Sequence, residues 1–162
     1  MKRVLFSVVA LLPGCSSSPS APLAAAEDGY RIPVGVYQFS ASVPQGRRSQ
    51  NWDGTLTITG VTDTGLEGEW DARGLEPLLS STPDTEEGRG RFFVKGFGNL
   101  VDPFGGTVER FSLEMKLVPV RDSDVVDCTE LVWRQATVVA QPGECKLVLS
   151  ASAASSVESP GD

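Results

Sequence analysis

Histidine is absent from this 162-residue chain. That removes the commonest general base, every Ser-His-Asp or Cys-His arrangement, and all histidine-containing metal sites. There is no Gly-x-Ser-x-Gly elbow either. Lys95-Gly96-Phe97-Gly98 places glycines beside a lysine but lacks the spacing of a phosphate-binding loop. Basic residues are in deficit, 14 against 21 acidic, for a formal charge of −7. Nucleic acid is bound by Lys and Arg clustered on one face, so it is not expected as a partner. Electrostatic attachment to anionic lipid is not expected either. The longest apolar run, Val4 to Leu12, is too short to cross a bilayer as a helix, which takes about 20 residues.

The start of the chain is informative. Met1-Lys2-Arg3 is basic, Val4 to Leu12 is apolar, and Leu12-Pro13-Gly14-Cys15 closes the run, the layout of a secretory signal peptide. The segment resembles the lipobox of bacterial lipoproteins, with Pro13 where that pattern has a small residue. The resemblance covers about fifteen residues. It implies cleavage before Cys15, lipidation of its thiol, and an envelope location on the periplasmic face of the outer membrane or at the cell surface. Ser16, rather than Asp, after the cysteine is compatible with outer-membrane sorting. An ordinary secretory signal is the competing reading. Two or more acyl chains hold a protein on a membrane stably where one does so only marginally. After loss of Lys2 and Arg3 the charge falls to −9, with 12 basic residues against 21 acidic, so the lipid must act without electrostatic help.

The expected organisation is a signal peptide over 1–14, a lipidated N-terminus and Ser/Pro-rich linker over 15–28, one domain over 29–150 and a small polar tail over 151–162. Three cysteines are present, Cys15, Cys128 and Cys145. Assigning Cys15 to lipid leaves an even pair in an oxidising compartment, where disulfides persist. A Cys128–Cys145 bond is therefore expected, and a metal site is not.

Strict alternation marks the domain as strands. Phe111, Leu113, Met115 and Leu117 alternate with Arg110, Ser112, Glu114 and Lys116; Tyr37, Phe39, Ala41 and Val43 form a second apolar face. Leu56 with Ile58, and Leu66 with Trp70, form others. Arg89 to Phe97 is strand-like with bulk on both faces, Leu75 to Gly88 reads as a loop, and Cys145 to Ala151 is the last strand. Val125 to Val139 presents a conflict. A hairpin turning at Pro142-Gly143 pairs Cys145 with about Val139 and leaves Cys128 at the far end of a full-length strand. A disulfide needs Cα atoms within about 7 Å. The bond is retained, so the segment is expected as a short strand, Leu131 to about Gln135, with a loop folding back, or with a helical turn.

These patterns predict an all-β domain, a small up-and-down antiparallel barrel of six to eight strands, with a β-sandwich as the alternative. A membrane-spanning barrel is excluded, because the face opposite the aromatic stripe is charged. Gly35-Val36-Tyr37 resembles the Gly-x-Trp start of lipocalins, with Tyr for Trp. Over those three residues the resemblance implies a barrel with an apolar ligand cavity, for which Ala41 and Gly68 are the small inward positions. A packed core explains the same faces.

Carboxylate chemistry has candidates. Glu67 and Glu69 share a strand face, as a glycosidase pair would, and a solvated charged face is the plainer reading. Asp53 reads as a turn residue. Asp122, Asp124 and Asp127 lack the glycine and distal glutamate of an EF-hand. Trp70 and Trp133 have core parity, which leaves Trp52 as the exposed tryptophan. No catalytic residue, metal or cofactor is expected. The expected function is a non-enzymatic envelope lipoprotein that binds another envelope component or a small apolar ligand. The alternative, a periplasmic protease inhibitor, rests on an architectural resemblance to metalloprotease inhibitors that are small barrels with one disulfide.

Overall fold

The computed structural model describes residues 29–86, 90–101, 104, 106, 108–136 and 138–152. The signal peptide, Cys15, the linker and positions 153–162 of the tail lie outside the described residues. Every regular element that is described is a β-strand: β1 (Gly35–Gln45), β2 (Arg48–Val61), β3 (Leu66–Ala72), β4 (Ser80–Pro83), β5 (Phe92–Val101), β6 (Val108–Pro119), β7 (Val126–Gln135), β8 (Val138–Pro142) and β9 (Glu144–Ser152). They form two antiparallel sheets, ordered β3-β2-β1-β9 and β4-β5-β6-β7-β8. Hydrogen-bonded neighbours are consecutive in the chain except for β9, which returns to β1.

The period-2 reading of the sheets holds. Tyr37, Phe39, Ala41 and Val43 of β1 are buried, as are Phe111, Leu113, Met115 and Leu117 of β6. Leu56, Ile58, Leu66 and Trp70 complete the inner face of the first sheet. Aromatic rings line the interior: Phe39 packs edge-on against Trp70 at 4.9 Å within the first sheet, Phe111 lies 6.5 Å from Trp133 within the second, and Phe111 meets Trp52 across the two sheets at 5.6 Å. Offset and edge-on arrangements suit the charge distribution of the rings. Trp52 is therefore core, 3% exposed, and not the surface tryptophan expected. Its partner across β1 is Ala41, whose small side chain faces the same interior. Gly96 has a related role, because a Cβ there would press on the Leu75 side chain at 3.1 Å and touch the Trp70 indole nitrogen at 3.4 Å.

Several expectations are corrected. The described residues form nine strands rather than six to eight. One of the additional strands, β4, lies in the 75–88 segment read as loop, and the other is β8. In β5, Phe92 and Val94 point inward, whereas Phe93 is 41% exposed. Asp53 is a strand residue opposite Ser40, not a turn residue. The conflict over 125–139 disappears, since β7 is full-length and the disulfide is present. The error lay in the assumed hairpin. The chain reverses after Gln135, and β8 runs back along β7 with Gln135 opposite Val138 and Val132 opposite Pro142. Cys145 is thereby carried past Leu131 to Cys128, with Cα atoms 5.6 Å apart and the sulfurs at bonding distance.

The sheets are joined at two seams. At one, Trp70 N–H donates to Pro77 O at 2.9 Å, and the Ser81 hydroxyl accepts from Leu66 N–H at 2.6 Å. At the other, Gly143 N–H donates to Leu131 O at 2.9 Å, where the chain passes from β8 in one sheet to β9 in the other. A Cβ on Gly143 would meet the Val43 side chain at 2.7 Å, so the passage requires glycine.

Opening the 17-residue Cys128–Cys145 loop is expected to cost about 3 kcal/mol. Urea denaturation with and without reductant measures it, and a Cys128→Ala/Cys145→Ala chain should match the reduced midpoint. Gly143→Ala should lower the midpoint under both conditions.

Candidate functional site

The outer face of the second sheet carries the densest cluster of charge. Strand register builds it in rows. Thr82, Phe93, Lys116 and Thr129 are successive cross-strand partners, as are Ser80, Lys95, Glu114 and Val132; Phe97, Ser112 and Arg134 form a third row. Side chains of one row project on one face because residues two apart share a side of the pleat. Between the rows lies an open groove of about 480 Å³, with Val94 and Met115 at its floor.

Glu114 is the hub. Lys95 Nζ lies 3.1 Å from its Oε1 and Arg134 Nε 3.0 Å from its Oε2. Partial burial of Glu114 disfavours its charge, but the hydrogen bonds from Lys95 and Arg134 outweigh that and hold its carboxyl below the usual glutamate range. Two cations on one carboxylate leave this end of the groove with one excess positive charge.

The other end has the opposite balance. Lys116 was expected on a solvated face, yet it is 7% exposed. Its Nζ pairs with Asp84 Oδ2 at 2.8 Å, approaches Glu130 Oε1 at 3.7 Å and lies 5.2 Å from the centre of the Phe93 ring. The ion pair explains the burial, since a charge withdrawn from water needs a close counter-charge. The hydrogen bond with Lys116 is the main cause holding the Asp84 carboxyl below the usual aspartate range. Glu130 reaches Lys116 because β7 bulges: Glu114 faces Val132 but Lys116 faces Thr129. Glu130 takes φ 53° there, a left-handed conformation uncommon outside glycine. Bulges of this kind re-aim side chains.

The residues singled out from the sequence are placed elsewhere. Cys15 lies outside the described residues. Cys128 and Cys145 are bonded to each other at the seam between the sheets. Glu67 and Glu69 are both exposed on β3. Asp122 and Asp124 sit in the β6–β7 turn, facing Arg121 at 3.4 Å and Arg31 at 3.8 Å respectively. Among the described residues no group of three or more acidic or cysteine side chains is arranged to hold a metal. None of these positions belongs to the groove. No protein-family model matches the chain, and neither a curated protein nor a solved structure shows significant similarity to it.

The depressed Asp84 and Glu114 carboxyls predict an acid-dependent stability. A carboxyl whose pKa is depressed on folding contributes stability above its unfolded pKa, and that contribution is lost as pH falls through the folded value. Thermal melting between pH 6 and pH 2 should show a decline that begins as pH falls into the usual carboxylate range and continues below it, with Asp84→Asn removing part of it. Removing one partner of a buried pair strands the other, whereas replacing both need not destabilise. Lys116→Met alone should therefore melt lower than Lys116→Met combined with Asp84→Leu.

Proposed function

We propose that the chain is a lipid-anchored protein of the bacterial cell envelope whose β-domain is a non-enzymatic binding module. The observation that carries the reading is the pairing of Cys128 with Cys145. It leaves Cys15, at the end of the lipobox-like segment, as the third cysteine, outside that bond. A structural disulfide also fits an oxidising compartment, so the bond and the signal-like start point the same way.

The consecutive strand order and the return of β9 to β1 support reading the two sheets as one interrupted up-and-down barrel. Its interior is occupied by Trp52, Trp70, Phe39, Phe111 and Trp133. Rings packed against one another favour a filled core over a carrier cavity for an apolar ligand. Binding is then placed on the outside, where the groove over β4–β7 offers fixed charges and an exposed Phe93. Its hydroxyl nearest the seam, Ser81, is engaged by both backbone groups of Leu66, at 2.6 and 3.1 Å. That arrangement suits structure and recognition better than nucleophilic attack.

Metabolic labelling with a fatty acid tests the anchor. The native chain should incorporate label and fractionate with membranes, while Cys15→Ser should lose both properties. A native chain cut at another position and unlabelled would mean an ordinary secreted protein. Affinity capture of the lipidated protein from its native envelope, after mild cross-linking, tests the binding role separately.

A further inference from the structure

We propose that the groove on the second sheet recognises an extended peptide segment carrying a single carboxylate and an apolar residue two positions away. The carboxylate is taken by Arg134 and Lys95, and the apolar side chain rests on Phe93. This deepens the binding-module reading and rests on it.

The charge arrangement is incomplete at one end. Among the described residues, only Nε of Arg134 is engaged, by Glu114, and the side chain is 54% exposed. Its terminal nitrogens retain the planar fork that matches a carboxylate with two parallel hydrogen bonds. Lys95, 46% exposed in its side chain, uses one of its three donors on the same Glu114. A second carboxylate at this end would neutralise the excess positive charge that Glu114 leaves.

Spacing sets the rest. Phe93 and Lys95 lie on one face of β5, two residues and about 6.6 Å apart along the strand. An extended peptide repeats its same-side residues at the same interval, so one acid and one apolar side chain at i and i+2 match the pair. Ser80 and Thr82 on the rim offer hydroxyls to the peptide backbone. At the other end Asp84 is paired with Lys116 and the exposed Glu130 repels a second acid, so the segment carries one carboxylate rather than a run. Of the apolar side chains that line the groove, Phe93 is exposed and Val132 half-buried, a surface too short for an acyl chain. This favours a peptide over a fatty acid.

The test uses the full-length chain carrying Cys15→Ser, followed by ¹H–¹⁵N NMR of the Arg134 Nε–Hε group. The probe is the blocked peptide acetyl-Gly-Leu-Ser-Glu-Gly-amide. It should give saturable shifts at Arg134 and in β5, and its Gln-for-Glu counterpart should give none. Arg134→Ala and Lys95→Ala should each abolish the shifts in β5. Glu114→Gln removes the competing carboxylate and should tighten binding about two- to fivefold, the range of an exposed ion pair. The melting temperature of each variant controls for folding. The proposal is overturned if the native groove and the Glu114→Gln groove both ignore the peptide. It is equally overturned if acetate or inorganic phosphate produces the same shifts at the same concentrations, which would mark a small-anion site. If the peptide fails while cross-linked capture still retains an envelope component from both the native and Arg134→Ala proteins, the groove assignment falls and the binding-module reading stands.

Discussion

At Gly143 the chain leaves one sheet and joins the other, and the rest of the domain depends on that passage. Gly143 N–H is held by Leu131 O, and its missing side chain lets Val43 of β1 approach. Because β8 pairs with β7 while β9 pairs with β1, one continuous stretch of backbone holds the two inner faces against each other. The Cys128–Cys145 bond closes the same seam a few residues on. Together with the seam between β3 and β4, this passage keeps the large aromatic side chains of both sheets out of water. With it, rings from both sheets fill one interior.

A filled interior bears on the proposed binding role. When both inner faces are committed to packing, recognition has to use an outer face or an edge. The outer face of the second sheet is suited to this, because antiparallel strands with one solvated side carry charge there. Cross-strand register gathers Lys95, Glu114 and Arg134 from three different strands into one cluster. The bulge at Glu130 and the burial of Lys116 then give the cluster two ends of opposite sign. An acidic protein thus holds a local positive site whose charges are fixed in place by a shared carboxylate.

Much of the framework was legible in the residues. The inward faces of β1, β2, β3 and β6 follow from alternation alone, and the cysteine pairing followed from parity. Trp52 was misread because its neighbours Asp53 and Gly54 suggested a turn, while its cross-strand partner Ala41 could not be known before the register. Val125 to Val139 was misread for the same reason: the position of a reversal decides which residues meet, and Pro142-Gly143 is a turn-like pair used here to change sheets. The groove was not legible at all. Its charged residues come from β5, β6 and β7, and each looks like an ordinary solvent-facing residue in its own strand.

The sequence by itself determined the all-β class, the buried face of most strands, the pairing of Cys128 with Cys145, and the lack of histidine chemistry. These depend on local periodicity and on residue identity, which need no knowledge of neighbours. Only the tertiary structure decided that Lys116 is buried against Asp84, that Glu130 turns toward it, and that Lys95 and Arg134 share Glu114. Those relations come from strand register and from one bulge. A single-residue change in pairing alters which side chains face one another across a sheet, and no local pattern in the chain specifies it.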